Sequence, residues 1–270
     1  MKTLFSEAER NLLREATYAT DLDLRTEAEQ TWERLVKYVR KREAHLTELQ
    51  LGSGKNAMDG FMVKGPAGWL PRGVIVAFMK AKEGGTVGSY GKHAGIGHVI
   101  VLYDAIVFSD DPDGLADRLE RLPRLKSVFM HEFTHYLDQQ RRKGPGQIGG
   151  KSKKSREKGD WSGYYQSAAE FNAYYQEVAN IIEDNILDRV HKATTPGHDL
   201  LKKHTKKEMD EVFANFHSFW HHLTVENGHT KHRLLTMRDK LAGSKWEKKW
   251  MKRMHVLYVG LKRRVQDALR

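Results

Sequence analysis

The chain has 270 residues, a net charge of +11, 39% hydrophobic and 10% aromatic residues, and no cysteine. Without thiols it can form no disulfide, thiolate metal site or cysteine nucleophile, and its aromatic content argues against disorder. The length allows one large domain or two small ones. No stretch approaches the apolar length of a membrane span, and the first ten residues lack the core and cleavage site of a signal peptide. The expectation is therefore a cytoplasmic protein, or one released without a Sec signal peptide.

The charge sits in two places. Residues 141–158 hold eight Lys/Arg against one Glu, and residues 245–270 hold nine against two acids. The plain reading is a solvated loop and a solvated helix face. The sharper one is attraction to nucleic acid or to an acidic protein.

Taken in order, the chain opens with two amphipathic patterns. Phe5, Ala8, Leu12, Ala16 and Ala19 fall at helical spacing over 4–19, and Ala28, Trp32, Leu35, Val36, Val39, Leu46 and Leu49 do so over 26–50. The run Gly52-Ser53-Gly54-Lys55-Asn56 lacks the upstream glycine and the Ser/Thr of a phosphate loop and reads as a turn. Strands are expected at 60–65, 73–79, 98–103 and 105–108. The glycine-rich stretch 82–97 between them reads as a flexible loop, with no dinucleotide-binding spacing. Asp110-Asp111-Pro112-Asp113 caps a short helix over 115–122, and Pro123 breaks the chain before the next one.

That next helix, 124 to about 143, carries His131-Glu132-Phe133-Thr134-His135. Residues four apart share a helix face, so His131 and His135 can hold one metal ion from consecutive turns, and Glu132 can reach a water on it. This is the HExxH arrangement of zinc sites that hydrolyse peptides: neutral imidazoles leave the ion positive, it acidifies bound water, and the carboxylate takes the proton. Composition alone would produce such a pentapeptide with a probability on the order of 0.05. The context adds to it, because Val128, Phe129, Phe133, Tyr136 and Leu137 make the helix too apolar for a surface element, and a buried motif needs partners for its polar groups.

After the helix, 144–159 is a polar, basic, Gly/Ser/Lys-rich loop. A long helix is expected over 167–190, ended by Pro196-Gly197, and three more over 205–224, 230–242 and 245–268. The division expected is N-terminal helices at 1–50, a catalytic unit at 51–195 and a basic helical region at 196–270. The fold class is α+β: a zincin-like unit with a small mixed sheet, mostly helical overall.

A catalytic zinc normally has three protein ligands. Position 141, where a third His would stand in one common pattern, is Arg141. Glu170 is the leading third candidate: small Ala168 and Ala169 permit close helix approach, and a buried Glu among apolar neighbours needs a cation. Asp160 and Glu177 stay as alternatives, and Asp138, one turn past His135, suits an orienting role. His217, His221 and His222 form a weaker second cluster with no Glu beside the first His.

His131-Glu132-Phe133-Thr134-His135-Tyr136-Leu137-Asp138, followed by a polar loop, tyrosines and Ala169-Glu170-Phe171-Asn172-Ala173, resembles the gluzincins, and among them the catalytic domain of anthrax lethal factor, with its HEFGHxxD helix and EAEFFAE-like ligand helix. The resemblance covers about residues 125–180. It implies Zn2+ held by His131, His135 and Glu170, Glu132 as base, and a tyrosine stabilising the oxyanion, for which Tyr164 and Tyr165 are the candidates at a spacing that differs from the family's. The loop between the two helices is also shorter here, so substrate choice does not carry over. The expected function is a zinc-dependent endopeptidase acting on a protein or peptide. The alternative is a basic nucleic-acid-binding protein with a structural or vestigial metal site, in which Trp246, Trp250 and Tyr258 would stack on bases.

Overall fold

The computed structural model describes residues 7–41, 45–51, 58–64, 74–80, 88–93, 97–104, 112–121, 123–141, 159, 161–226 and 228–270. The turn expected at 52–56, the strand at 105–108, most of the basic loop at 144–159 and Asp160 lie outside them. The fold is α+β and mostly helical, with a small mixed sheet. Packing divides the chain into two compact units, Leu24–Ile148 and Met1–Asp23 with Gly149–Arg270.

Helix α1 (Glu7–Lys41) replaces the two helices expected near the N-terminus. Residues 7–41 contain no Gly or Pro to interrupt it. The second pattern also ends earlier than expected, because His45–Leu51 is strand β1. Leu46 and Leu49 continue the helical spacing by coincidence; the segment instead pairs antiparallel with β2 (Met58–Lys64) from His45↔Lys64 to Leu51↔Met58.

In the sheet-containing unit β3 (Ile75–Lys80), β4 (Gly88–His93) and β5 (Gly97–Asp104) complete five strands in the order β1-β2-β3-β5-β4. Among the described strands only β3 and β5 pair in parallel. Their alternation sorts side chains onto two faces. Val76, Phe78, Ile100 and Leu102 pack with Trp32, Leu35 and Val39 of α1, with α2 (Pro112–Arg121) and with α3 (Pro123–Arg141). Ala77, Met79, Val99 and Val101 form a smaller cluster on the other face. Strand β4 corrects the expectation of a loop over 82–97: its Gly-Ser-Tyr-Gly sequence has weak strand propensity, and pairing with β5 from Gly88↔Leu102 to His93↔Gly97 defines it at the sheet edge.

The helical unit holds α4 (Trp161–Tyr165), α5 (Ala168–Thr194), α6 (Asp199–Val212), α7 (Phe216–His221) with a π turn at His222–Glu226, α8 (Gly228–Leu241) and α9 (Lys245–Ala268). The single helix expected at 205–224 is two, starting earlier and broken at 213–215, where the Asn215 side chain accepts the Ser218 N–H and starts α7 afresh. The core joins Tyr175, Ile182 and Ile186 of α5 to Phe213, Phe219, Leu234, Trp250, Leu257 and Leu261. Close approach is built in at Gly260, where a Cβ would overlap the Tyr18 ring.

Candidate metal centre

Helix α3 buries most of its length. Phe129 and Phe133 stack with centroids 5.4 Å apart, and Phe133 packs on Tyr136 at the same distance. Within this apolar wall His131, Glu132 and His135 are 7%, 8% and 7% exposed. The two imidazoles stand edge to face, and their Nε2 atoms are 3.2 Å apart. Zinc–imidazole bonds at a tetrahedral angle place two nitrogens about 3.3 Å apart, so the pair has the bite of a metal chelate. Thr134 occupies the intervening turn by donating its hydroxyl to the Met130 carbonyl, 2.8 Å away.

Glu132 is held from the sheet side. A Cβ at Gly88 of β4 would overlap Val128 Cγ1 and come within 3.2 Å of Glu132 Cγ and Oε1. Only a glycine lets the edge strand pass this close to the carboxylate. A polar chain ties the far end of α3 to the same strands. Gln140 Nε2 donates to His98 Nε2 at 3.2 Å, which places the ring proton on Nδ1; that N–H donates to Tyr90 Oη at 2.7 Å, and the Tyr90 hydroxyl donates to Gln139 Oε1. Burial raises the Tyr90 phenol above the usual tyrosine range.

In the helical unit Glu170 sits in the first turn of α5 and is 7% exposed. Ser167 caps the helix by accepting the Glu170 N–H. The sequence Ser167-Ala168-Ala169-Glu170 has the spacing of a capping box, in which the Glu would reach back to the Ser N–H. Here that N–H donates to the Tyr164 carbonyl, 3.1 Å away, so the Glu170 carboxylate is not needed for the cap. Tyr164, Tyr165 and Tyr174 gather beside it: ring centroids lie 5.4 Å apart for Tyr164–Tyr165 and 4.9 Å for Tyr165–Tyr174. The Tyr174 phenol is pushed far up, first by burial, then by Tyr164 and Tyr165, and also by the Glu170 charge.

The other sequence candidates have different surroundings. Glu177 is buried against Arg233, an ion pair that accounts for its carboxylate. Asp138 is half-buried on α3. His217 and His221 are exposed and His222 is buried; no metal-holding group is found there among the described residues. Gly88, beside Glu132, was missed by sequence reasoning, and Tyr174, beside Glu170, reads from the sequence only as a packing residue. The i, i+4 spacing of Glu170 and Tyr174 was the signal for the second, and nothing local marked the first. No protein-family model matches the chain, and no curated protein or solved structure matches it. Among the described residues no helix is long and apolar enough to cross a membrane.

Proposed function

We propose that this protein is a zinc-dependent endopeptidase of gluzincin type, with His131, His135 and Glu170 as metal ligands. The observation that carries the reading is the pair of buried imidazoles on consecutive turns of α3, their Nε2 atoms 3.2 Å apart, with the buried Glu132 one residue past the first. Two imidazoles and a carboxylate are the donor set of a catalytic zinc site with an open fourth position. A bound zinc ion would supply the Lewis acidity that acidifies water and polarises a carbonyl.

The chain's own residues have the remaining work. Glu132 takes the proton from the attacking water and returns it to the leaving amine. Its burial beside Gly88 excludes bulk water from the carboxylate. Tyr164 or Tyr165, next to Glu170, donates a hydrogen bond to the oxygen that gains charge. The test is Glu132→Gln. Peptide cleavage should fall at least about a hundredfold while the zinc content of the purified protein stays near one per chain. Unchanged cleavage would sink the assignment of the base.

A further inference from the structure

The first two turns of α9 carry a charge pattern that works against the helix. Lys245, Lys248, Lys249 and Lys252 are all exposed, and 245/248, 245/249, 248/252 and 249/252 stand three or four residues apart, where like charges repel. Two of them, Lys245 and Lys248, lie in the first turn, where the backbone dipole disfavours cations. The one acid in this stretch, Glu247, accepts the Gly243 N–H at 2.8 Å. Among the described residues no ion pair answers the four ammonium groups.

The patch adjoins the helix turn that bears Glu170. Lys249 Nζ lies 4.4 Å and Lys245 Nζ 5.8 Å from the Trp246 ring. On Trp246 packs Phe171, at a centroid distance of 4.9 Å, and Phe171 follows Glu170 in the chain. Trp246 is thereby engaged by Lys249 and Phe171, while Trp250 and Tyr258 are buried in the core. Of the rings named for base stacking, two are thus buried and the third, Trp246, is partly covered by Phe171 and Lys249. Lys245 to Lys252 spans about 10 Å along the helix, the length of about three residues of extended peptide.

We propose that Lys245, Lys248, Lys249 and Lys252 form the recognition surface for acidic side chains flanking the scissile bond, so that the substrate class is an acidic protein segment. This rests on the peptidase reading of the Glu170 site. Attraction between these exposed charges is screened by salt, so the preference should weaken as ionic strength rises.

The experiment compares the full-length wild type with K245E/K248E/K249E/K252E and with the four-fold Lys→Arg variant. The probes are a short fluorescent glutamate-rich peptide, its glutamine counterpart and a single-stranded oligonucleotide of equal charge. Binding is read by anisotropy and cleavage by fluorescence. The charge-reversed variant should bind the glutamate peptide about tenfold more weakly and lose a similar factor in kcat/KM, the arginine variant should match wild type, and the glutamine peptide should change less than about twofold. Equal losses on both peptides, no loss on either, or lysine-dependent binding that favours the oligonucleotide would overturn the proposal. If wild type cleaves neither peptide yet binds the acidic one through these lysines, the peptidase reading fails and the surface stands. If it cleaves both without regard to charge, the surface fails and the peptidase reading stands.

Discussion

Helices α3 and α5 both bury carboxylates, and their surroundings differ. On α5, Glu177 meets Arg233, while Glu183 meets Arg264 and accepts the Tyr18 hydroxyl. Nearby, Asp21 takes Arg253 at 2.6 Å and the Gln176 amide at 3.2 Å. On α3, Glu132 and two imidazoles stand among Phe129, Phe133 and Tyr136 and against a glycine of the edge strand. The contrast teaches that burial alone does not mark a ligand. Glu177, at 3% exposure, is no less buried than Glu170 at 7%, yet an arginine of the same unit neutralises it. The α5 network pairs carboxylates with arginines; on α3 two imidazole Nε2 atoms stand 3.2 Å apart beside a carboxylate.

The largest effect expected from breaking this contrast is on stability. Phe129 is fully buried in the wall behind the imidazoles, and Phe129→Ala should cost about 3–5 kcal/mol in urea unfolding. A loss under about 1 kcal/mol would mean that the wall is not packed as described. Next comes the α5 network. Arg264→Met leaves Glu183 buried without its cation; because Arg264 is 38% exposed, the cost should be about 1–3 kcal/mol, and adding Glu183→Gln should restore much of it. If the double variant is no better than the single, the pair is not coupled.

Gly88→Ala sharpens the comparison on the α3 side. The new methyl group must displace Val128 and crowd Glu132, so kcat should fall about tenfold while bound zinc is retained. Val128→Ala in the same background relieves the Val128 overlap and leaves the Glu132 contact, so it should restore stability more than kcat. The smallest effect is alkaline. Tyr18, Tyr90 and Tyr174 all have phenols raised above their ordinary value, chiefly by burial. Above a pH of about 10 the unfolded chain loses these protons first, so the native state holds more protons and stability falls as pH rises. Tyr174→Phe should flatten that decline in a series of melting temperatures across pH 9 to about 11; an unchanged slope would show that Tyr174 does not titrate differently in the two states.

Much of this was legible in the sequence. The α3 motif, the helices at 228–241 and 245–268, and Glu170 within a helix begun by Ser167 follow from apolar periodicity and capping residues. Other features were not. Residues 45–51 keep helical spacing but gain a strand partner in β2, a tertiary choice that no local pattern records. Strand β4 is built from residues that disfavour strands and exists through its pairing with β5. The fate of Glu177 depends on Arg233, 56 positions away in sequence. Gly88 shows the same limit at the candidate site, since its importance lies in what passes beside it rather than in its neighbours along the chain.

The most direct test of the central claim is zinc content after equilibrium dialysis, measured on the wild type, Glu170→Gln and Glu177→Gln. About one zinc per chain is expected in the wild type and in Glu177→Gln, and loss of most of it in Glu170→Gln with the fold intact by circular dichroism. Zinc retained in full by Glu170→Gln, or a stable wild type that takes up none, would contradict the claim.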